Sequence, residues 1–127
     1  MDNVERRLAI ERYVDAYNHF DVKGMLAELT PDVRFENVSD GEVTASSSGI
    51  DEFRRLAELS SAMFSERKQV VTGMAFGEVS VRVGIAWRGV FAVDLPEGPT
   101  VGTVIELRGE SEFEFSGDRI CRIIDRG

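Results

Sequence analysis

The stretch from Thr103 to Phe115 has the most regular alternation of apolar and polar residues in the chain. Its odd positions are apolar or small, and from Glu106 onwards every even position is charged. A period of two predicts a long β-strand with one face buried and the other in solvent. Ser111 is the polar side chain on the inward face, so it marks where a pocket is expected.

A second stretch, Val79 to Leu95, alternates as strictly, with Gly84 and Gly89 as plausible bending points. If both apolar faces point inward in one antiparallel hairpin, the loop length places Trp87 opposite Ser111. The same register places Arg88 opposite Glu110 on the outer face. The predicted strands are Asp32–Val38, Lys68–Phe76, Val79–Leu95, Thr103–Phe115 and Arg119–Arg126.

Apolar residues at helical spacing predict three helices in the first half of the chain. The first runs from Asn3 to Asn18, and the second is capped by Asp21 and ends at Thr30-Pro31. The third begins at a capping-box-like sequence from Ser48 to Asp51 and extends to about Ser65. The turn-rich run Ser39 to Gly49 is predicted to be a mobile loop.

The order of elements predicts an α+β fold, a curved antiparallel or mixed β-sheet wrapped around three N-terminal helices, as one domain over residues 1–127. A net charge of −8 disfavours nucleic acid and anionic membranes as partners. Cys121 is the only cysteine, and no signal peptide or membrane-spanning stretch is present, so a cytoplasmic protein is expected.

Several short sequences carry a resemblance to the NTF2-like superfamily, whose fold is a cone. They are Arg12-Tyr13-Val14, the run from Pro31 to Asn37, Trp87-Arg88-Gly89, and Gly117-Asp118-Arg119-Ile120. Within it the chain is most similar to the SnoaL-like polyketide cyclases and the ketosteroid-isomerase-like proteins. The resemblance implies a small hydrophobic, often carbonyl-bearing ligand, no cofactor, and a homodimer formed through the outer sheet face.

The resemblance also implies roles for single residues. Tyr13 matches the oxyanion-binding tyrosine of the isomerase, and Asn37 stands where that enzyme has its aspartate base. Ser111 stands where the isomerase keeps a protonated aspartic acid. Asp125 matches the acid/base aspartate on the final strand of the cyclases, whereas Phe91 stands where those enzymes tend to carry a histidine.

The residues predicted to face the inner side of the sheet suggest the same site independently of the family resemblance. A carboxylate at Asp125 facing an apolar cone would have a raised pKa and could act as a general base. Donors at Tyr13 and Asn37 could stabilise a developing enolate. The predicted catalytic residues are therefore Asp125, Tyr13 and Asn37. The predicted substrate contacts are Tyr17, Ser111, Trp87, Phe91, Phe53, Leu56, Phe64 and Ile123.

Each of these residues also has a purely structural alternative. The tyrosines could be core residues, Asn37 could bond its neighbouring loop, and Asp125 could pair with Arg122 or Arg126 in solvent. His19 is the only histidine, so neither a Ser-His-Asp triad nor a histidine metal site is expected. Two function classes follow: a cofactor-free isomerase, cyclase or epoxide hydrolase, and a catalytically silent module that binds a ligand or a protein.

Overall fold

The computed structural model describes residues 1–127 as three helices and one six-stranded sheet. The helices are α1 (Asn3–Asn18), α2 (Val22–Ala27) and α3 (Ile50–Met63). The strands are β1 (Leu29–Ser39), β2 (Glu42–Ser48), β3 (Phe64–Phe76), β4 (Ser80–Phe91), β5 (Val104–Ser116) and β6 (Arg119–Arg126).

The sheet has the strand order β2-β1-β6-β5-β4-β3 and is open. Its neighbours are antiparallel except for β1 and β6, which are parallel, so the sheet is mixed. The helices cover one face, where one hydrophobic core includes Ile10, Phe53 and Phe113. The predicted α+β architecture, a curved mixed sheet around three helices, is confirmed.

Side-chain capping explains the starts of α1 and α2. α3 begins after Gly49 without a side-chain cap, so the prediction of a capping box from Ser48 to Asp51 is wrong. The Asp2 side chain accepts a hydrogen bond from the Glu5 backbone N–H at 2.8 Å, and the Asp21 side chain accepts one from the Gly24 N–H at 2.9 Å. Each carboxylate satisfies a backbone donor of the first helical turn, which the helix itself leaves unpaired. None of the helices has the length and hydrophobicity needed to cross a bilayer.

The prediction of a mobile loop at Ser39–Gly49 is wrong, because most of this segment is strand β2, paired with β1. Asp40 and Gly41 both have positive φ, 52° and 79°, and an Asp-Gly pair in that conformation makes the tight turn that suits a hairpin. β2 is an edge strand of mostly exposed polar residues. It therefore lacks the apolar alternation by which the other strands were predicted.

The predicted register between the two long strands is also wrong. Trp87 pairs with Leu107 rather than with Ser111, whose partner is Val83. Arg88 faces Glu106 rather than Glu110. β4 ends at Phe91, because the next residue, Ala92, donates its backbone N–H to the Met63 carbonyl at the end of α3.

The residues after β4 form a compact connection instead of further strand. The Leu95 N–H bonds the Pro99 carbonyl at 2.9 Å, and Asp94 accepts from the Val101 N–H at 2.8 Å. Smaller differences in element bounds occur elsewhere. α2 ends at Ala27, so Thr30-Pro31 lies inside β1, and β3 begins at Phe64 rather than at Lys68.

Candidate functional site

Three polar residues on the inner face form one row across the centre of the sheet. Asn37 on β1 pairs with Asp125 on β6, and Asp125 pairs with Ser111 on β5. Two residues further along, the same face carries Ile123 and Phe113, which are fully buried. Because side chains alternate in a strand, the polar row borders the apolar core directly.

Asp125 is the acidic group of this row. The Ser111 hydroxyl donates a hydrogen bond of 2.6 Å to Asp125 Oδ1. Burial destabilises the carboxylate and raises the pKa of Asp125 to about 6, although the Ser111 hydrogen bond acts in the opposite direction. The neighbouring arginines are engaged elsewhere, Arg122 with Glu36 and Glu114 and Arg126 with Glu112. Asp125 therefore has no cation to neutralise it.

A hollow of about 430 Å³ lies between the helices and the inner face of the sheet, and Asp125 forms part of its wall. Ten of its fifteen lining residues are hydrophobic, which is typical of a small-molecule site. Of the predicted site residues, Tyr13, Tyr17, Asn37, Phe53, Leu56 and Asp125 line this first hollow.

A second hollow, of about 350 Å³, adjoins the first and is more polar. Its wall includes the predicted residues Phe64, Trp87 and Ser111. Tyr17, Asn37, Gln69 and Asp125 line both hollows. The structure thus places Tyr13 in the wall of the first hollow, Trp87 and Ser111 in the wall of the second, and Asn37 and Asp125 in the walls of both.

The two tyrosines of α1 are both held by the core. Tyr13 packs edge-on against Phe113, with ring centroids 5.8 Å apart. Its pKa is well above the ordinary value, chiefly because it is buried and also because Asp125 is nearby. The Tyr17 hydroxyl accepts a hydrogen bond of 2.9 Å from Trp87 Nε1, and burial raises its pKa as well. Both phenols therefore stay protonated and can act as hydrogen-bond donors.

Asn37 is tied to the neighbouring hairpin strand. Its Nδ2 donates to Thr44 Oγ1 at 2.8 Å, and no hydrogen bond joins it to Asp125. The amide nitrogen is thus shared with β2, while the side chain still lines both hollows.

Two predicted contact residues lie outside the cavity walls. Ile123 is fully buried in the core. Phe91 is 5% exposed and packs on Phe64 with ring centroids 4.9 Å apart. Neither residue lines the first or the second hollow. Phe91 instead supports Phe64, which does line the second hollow.

Arg67 and Gln69 on β3 are site residues that the sequence reasoning missed. Both line the first hollow, because β3 begins at Phe64 and the positions of Arg67 and Gln69 share its inner face. Arg67, Gln69 and Val71 are alternate residues, and this spacing could have predicted that they share one strand face. The charge of Arg67 breaks the apolar alternation by which such a face is identified. Met63 on α3 also lines the first hollow. Further lining residues that were not predicted are Met25, Phe35, Ala45, Ala57, Leu59 and Ser60.

No group of three or more His, Cys, Asp or Glu side chains converges in a way that could hold a metal ion. Cys121 is partly buried, and burial raises the pKa of its thiol. The reactive groups that line the two hollows are a carboxyl group and, around it, phenol and hydroxyl groups that can donate hydrogen bonds.

The model of the SnoaL-like domain family matches residues 10–123 of the chain. No curated protein matches the sequence significantly. A candidate polyketide cyclase from Xanthomonas campestris has a similar structure, with a TM-score of 0.84 and 18% identity over 97% of this chain and 90% of that one.

Two further solved structures are similar. The candidate hydroxylase AclR from Streptomyces galilaeus has a TM-score of 0.78 and 18% identity over 98% of this chain and 90% of that one. A protein from Catenulispora acidiphila with a ketosteroid isomerase-like fold, in complex with trimethylamine, has a TM-score of 0.75 and 13% identity over 92% of this chain and 82% of that one. At these identities the likeness establishes the fold and no activity.

Proposed function

The chain belongs to the SnoaL-like domain family, whose model spans nearly its whole length, and on that basis we propose that it is a cofactor-free enzyme of the isomerase or cyclase type. Its substrate is a small hydrophobic molecule with a carbonyl group. Its chemistry is proton transfer at the carbon beside that carbonyl.

The observation that supports this most strongly is Asp125. A carboxyl group at the wall of an apolar hollow, with its pKa raised to about 6, is a stronger base than an ordinary aspartate. It is still mostly ionised at neutral pH. General bases work best when their pKa lies near the operating pH, and aspartates reach that range mainly through burial.

The proton and electrons can be followed through the reaction. The Asp125 carboxylate takes the proton from the carbon beside the carbonyl, and the electron pair of that C–H bond moves into an enolate. In an isomerisation the protonated Asp125 returns the proton to another carbon. In an aldol ring closure the enolate carbon forms a bond to a second carbonyl carbon, and Asp125 gives its proton to the alkoxide produced.

The enolate oxygen needs hydrogen-bond donors, and the tyrosines supply them. Tyr13 keeps its proton because its pKa is well above the ordinary value. The Tyr17 oxygen accepts from Trp87, which leaves its own hydrogen free to donate. Fixed donors in an apolar site stabilise a developing oxyanion more than water does. We assign Tyr13 the main donor role and Tyr17 and Asn37 supporting roles.

The names of two structural neighbours agree with this substrate class. The proteins from Xanthomonas campestris and Pseudomonas putida with the same fold are both described as candidate polyketide cyclases. Polyketides are rich in carbonyl groups flanked by acidic C–H bonds, the chemistry that a buried aspartate base suits.

A second candidate function is ligand binding without turnover. The observation that favours it is the Asn37 amide, which is engaged with Thr44, and the lack of a direct hydrogen bond from Asp125 to either Tyr13 or Asn37. In this case the hollow stores or carries its ligand, and Asp125 sets only the pH dependence of binding. The homodimer remains a prediction under both functions.

The test uses 2-tetralone, a bicyclic ketone with an acidic C–H beside its carbonyl, in deuterium oxide. NMR follows the replacement of that hydrogen by deuterium. The wild-type protein should accelerate the exchange, with a rate that rises as pH increases through about 6 and then levels off, because the ionised carboxylate is the active form.

Asp125→Asn should lower this rate by roughly 10²- to 10⁴-fold, the usual contribution of a general base. Glu112→Gln is the matched control, since Glu112 is a carboxylate on the outer face of the sheet, and it should leave the rate unchanged. An exchange rate that is the same in wild type and Asp125→Asn would overturn the enzymatic proposal in favour of the binding module.

A further inference from the structure

Arg67 is a buried cation in the wall of the first hollow. Only 5% of its surface is exposed. Its guanidinium lies over the Tyr17 ring at 3.8 Å from the centroid and near the Phe20 ring at 4.6 Å. Nε donates to the Tyr17 carbonyl at 3.2 Å, and Nη1 donates to Ser60 Oγ at 3.2 Å. All of these partners are electrically neutral.

The charge of Arg67 has no acidic counterpart. Arg12, Arg82, Arg88, Arg122 and Arg126 each lie within 4 Å of a glutamate carboxylate. Arg67 forms no such pair, and its Nη2 has no hydrogen-bond partner. Burying a guanidinium without a counter-charge is unfavourable, and contacts with aromatic rings offset only part of that cost. The arrangement therefore lacks an anion.

Arg67 lies away from Asp125 along the strands. Arg67 pairs with Gly89 on β4, whereas Ser111, the partner of Asp125, pairs with Val83 on the same strand. That separation corresponds to roughly 20 Å of backbone, which the long arginine side chain and the curvature of the sheet shorten. Both charges act on Tyr13 and Tyr17, since the charge of Asp125 raises the pKa values of these tyrosines and the charge of Arg67 lowers them. The tyrosines thus lie between the acid and the cation.

From this geometry we infer that the molecule bound in the first hollow carries an anionic oxygen group, a carboxylate or an ionised phenol, which pairs with Arg67 at the Ser60 end. Its apolar body lies along Phe53, Leu56 and Met63, and its opposite end reaches Asp125. The assignment of that opposite end as the reacting end depends on the proposed function. The anion pairing with Arg67 does not.

The guanidinium edge has to become accessible for this pairing. Nη2 has no solvent-accessible surface, and the Ser60 side chain contacts the adjoining Nη1. Rotation of Ser60 about its one side-chain bond exchanges a neutral hydroxyl acceptor for a carboxylate. A charged acceptor makes a shorter and stronger hydrogen bond to a guanidinium than a hydroxyl does.

The test compares two probes that differ only in charge. 2-Naphthoate carries a carboxylate on a bicyclic ring, and methyl 2-naphthoate carries the same ring without the charge. Both are small enough for a hollow of about 430 Å³. Calorimetric titration at neutral pH should show 2-naphthoate bound at least tenfold more tightly than the ester. Equal affinities, or binding of neither probe at millimolar concentration, would overturn the inference.

Arg67→Met removes the charge while keeping most of the length of the side chain. It should weaken 2-naphthoate by tenfold or more and leave the ester within about twofold of wild type. Arg67→Lys should retain part of the preference, because it keeps the charge without the planar fork. Arg82→Met, which removes an exposed arginine on the outer face, is the control and should change neither affinity.

The outcomes separate this inference from the proposed function. If Arg67→Met weakens both probes equally, the side chain acts only in packing and the anion pairing is wrong, whatever the 2-tetralone exchange shows. If the charge preference is found and Asp125→Asn leaves the exchange rate intact, the anion pairing holds and the enzymatic proposal fails. The wild-type comparison of the two probes needs no variant, so a poorly folding variant does not prevent the decision.

Discussion

Glu112 and Asp125 lie on neighbouring strands, each accepts a short hydrogen bond from a serine, and yet their pKa values move in opposite directions. Ser80 donates to Glu112 at 2.7 Å, and Ser111 donates to Asp125 at 2.6 Å. The pKa of Glu112 is lowered, chiefly by the Ser80 hydrogen bond and then by Arg126. The pKa of Asp125 is raised to about 6.

The difference comes from the face of the sheet. Glu112 points outward, where Arg126 contacts it at 3.0 Å and water reaches it. Asp125 points inward, where burial dominates and its hydrogen bond offsets only part of the cost. On the outer face the fold pairs its charges, whereas inside it keeps Asp125 and Arg67 apart and unpaired. Perturbed internal charges cluster at functional sites, and the contrast between the two faces therefore supports the proposed function.

The largest effect that distinguishes the two carboxylates should be on the free energy of unfolding. Because the folded-state pKa of Asp125 is raised from 3.8 to about 6, the native state holds the proton more tightly than the unfolded state. The protonated Asp125 therefore contributes fully to the free energy of unfolding below about pH 4, and this contribution is lost as the pH rises through about 6. The loss is on the order of 2–3 kcal/mol.

Asp125→Asn removes this loss. The variant should be more stable than wild type at pH 8, by on the order of 2–3 kcal/mol, and about equally stable at pH 4. Urea unfolding at both pH values measures the difference. Glu112→Gln should not gain stability at pH 8, since the Glu112 carboxylate is stabilised by its partners. A pH-independent difference between wild type and Asp125→Asn would contradict the burial of the charge.

Removing the serine hydroxyls at Ser111 and Ser80 should have an effect of intermediate size, on the pKa values of the two carboxyl groups. Ser111→Ala should raise the pKa of Asp125 above 6 by roughly one unit, since it deletes the hydrogen bond that stabilises the carboxylate. Ser80→Ala should raise the pKa of Glu112 back toward its ordinary value. Carboxyl-carbon NMR titration resolves both groups. If Ser111→Ala left the titration of Asp125 unmoved, the hydrogen bond would not be present in solution.

The smallest effect should come from the outer ion pair. Arg126→Gln removes the cation beside Glu112, yet an ion pair in contact with water is worth less than about 1 kcal/mol. Urea unfolding should therefore change little, and the pKa of Glu112 should rise while that of Asp125 stays near 6. A loss of several kcal/mol would show that the outer pair is a structural element and would remove the contrast between the two faces.

The fold was predictable to the extent that apolar residues alternate. β5 and β4 bury one face each, so their alternation is strict. The helices follow from apolar residues at helical spacing, and side chains cap the first two of them. The edge strand β2 and the register of Trp87 were not predictable in this way. An edge strand has little apolar surface. The register was predicted from a strand that runs to Leu95, whereas β4 ends at Phe91, which is itself hydrogen-bonded to Thr103.

The site was predictable in part. Asp125, Ser111 and Asn37 are polar exceptions on apolar strand faces, and the family resemblance drew attention to Tyr13. Arg67 was missed because the predicted strand begins only at Lys68, and only three-dimensional contacts show the guanidinium beside the Tyr17 and Phe20 rings. The alternation of apolar and polar residues identifies a polar residue on a buried face only when the residues two positions before and after it are apolar.

The parallel pairing of β1 with β6 has a kinetic consequence. Asn37 and Asp125 are neighbours in the sheet although about two thirds of the chain separates them in sequence. Closing so long a loop is slow, and proteins rich in such contacts fold more slowly than those built from local ones. Asp125 and its cavity should thus assemble late on the folding pathway, so that partly folded chains lack the hollow and expose its apolar wall.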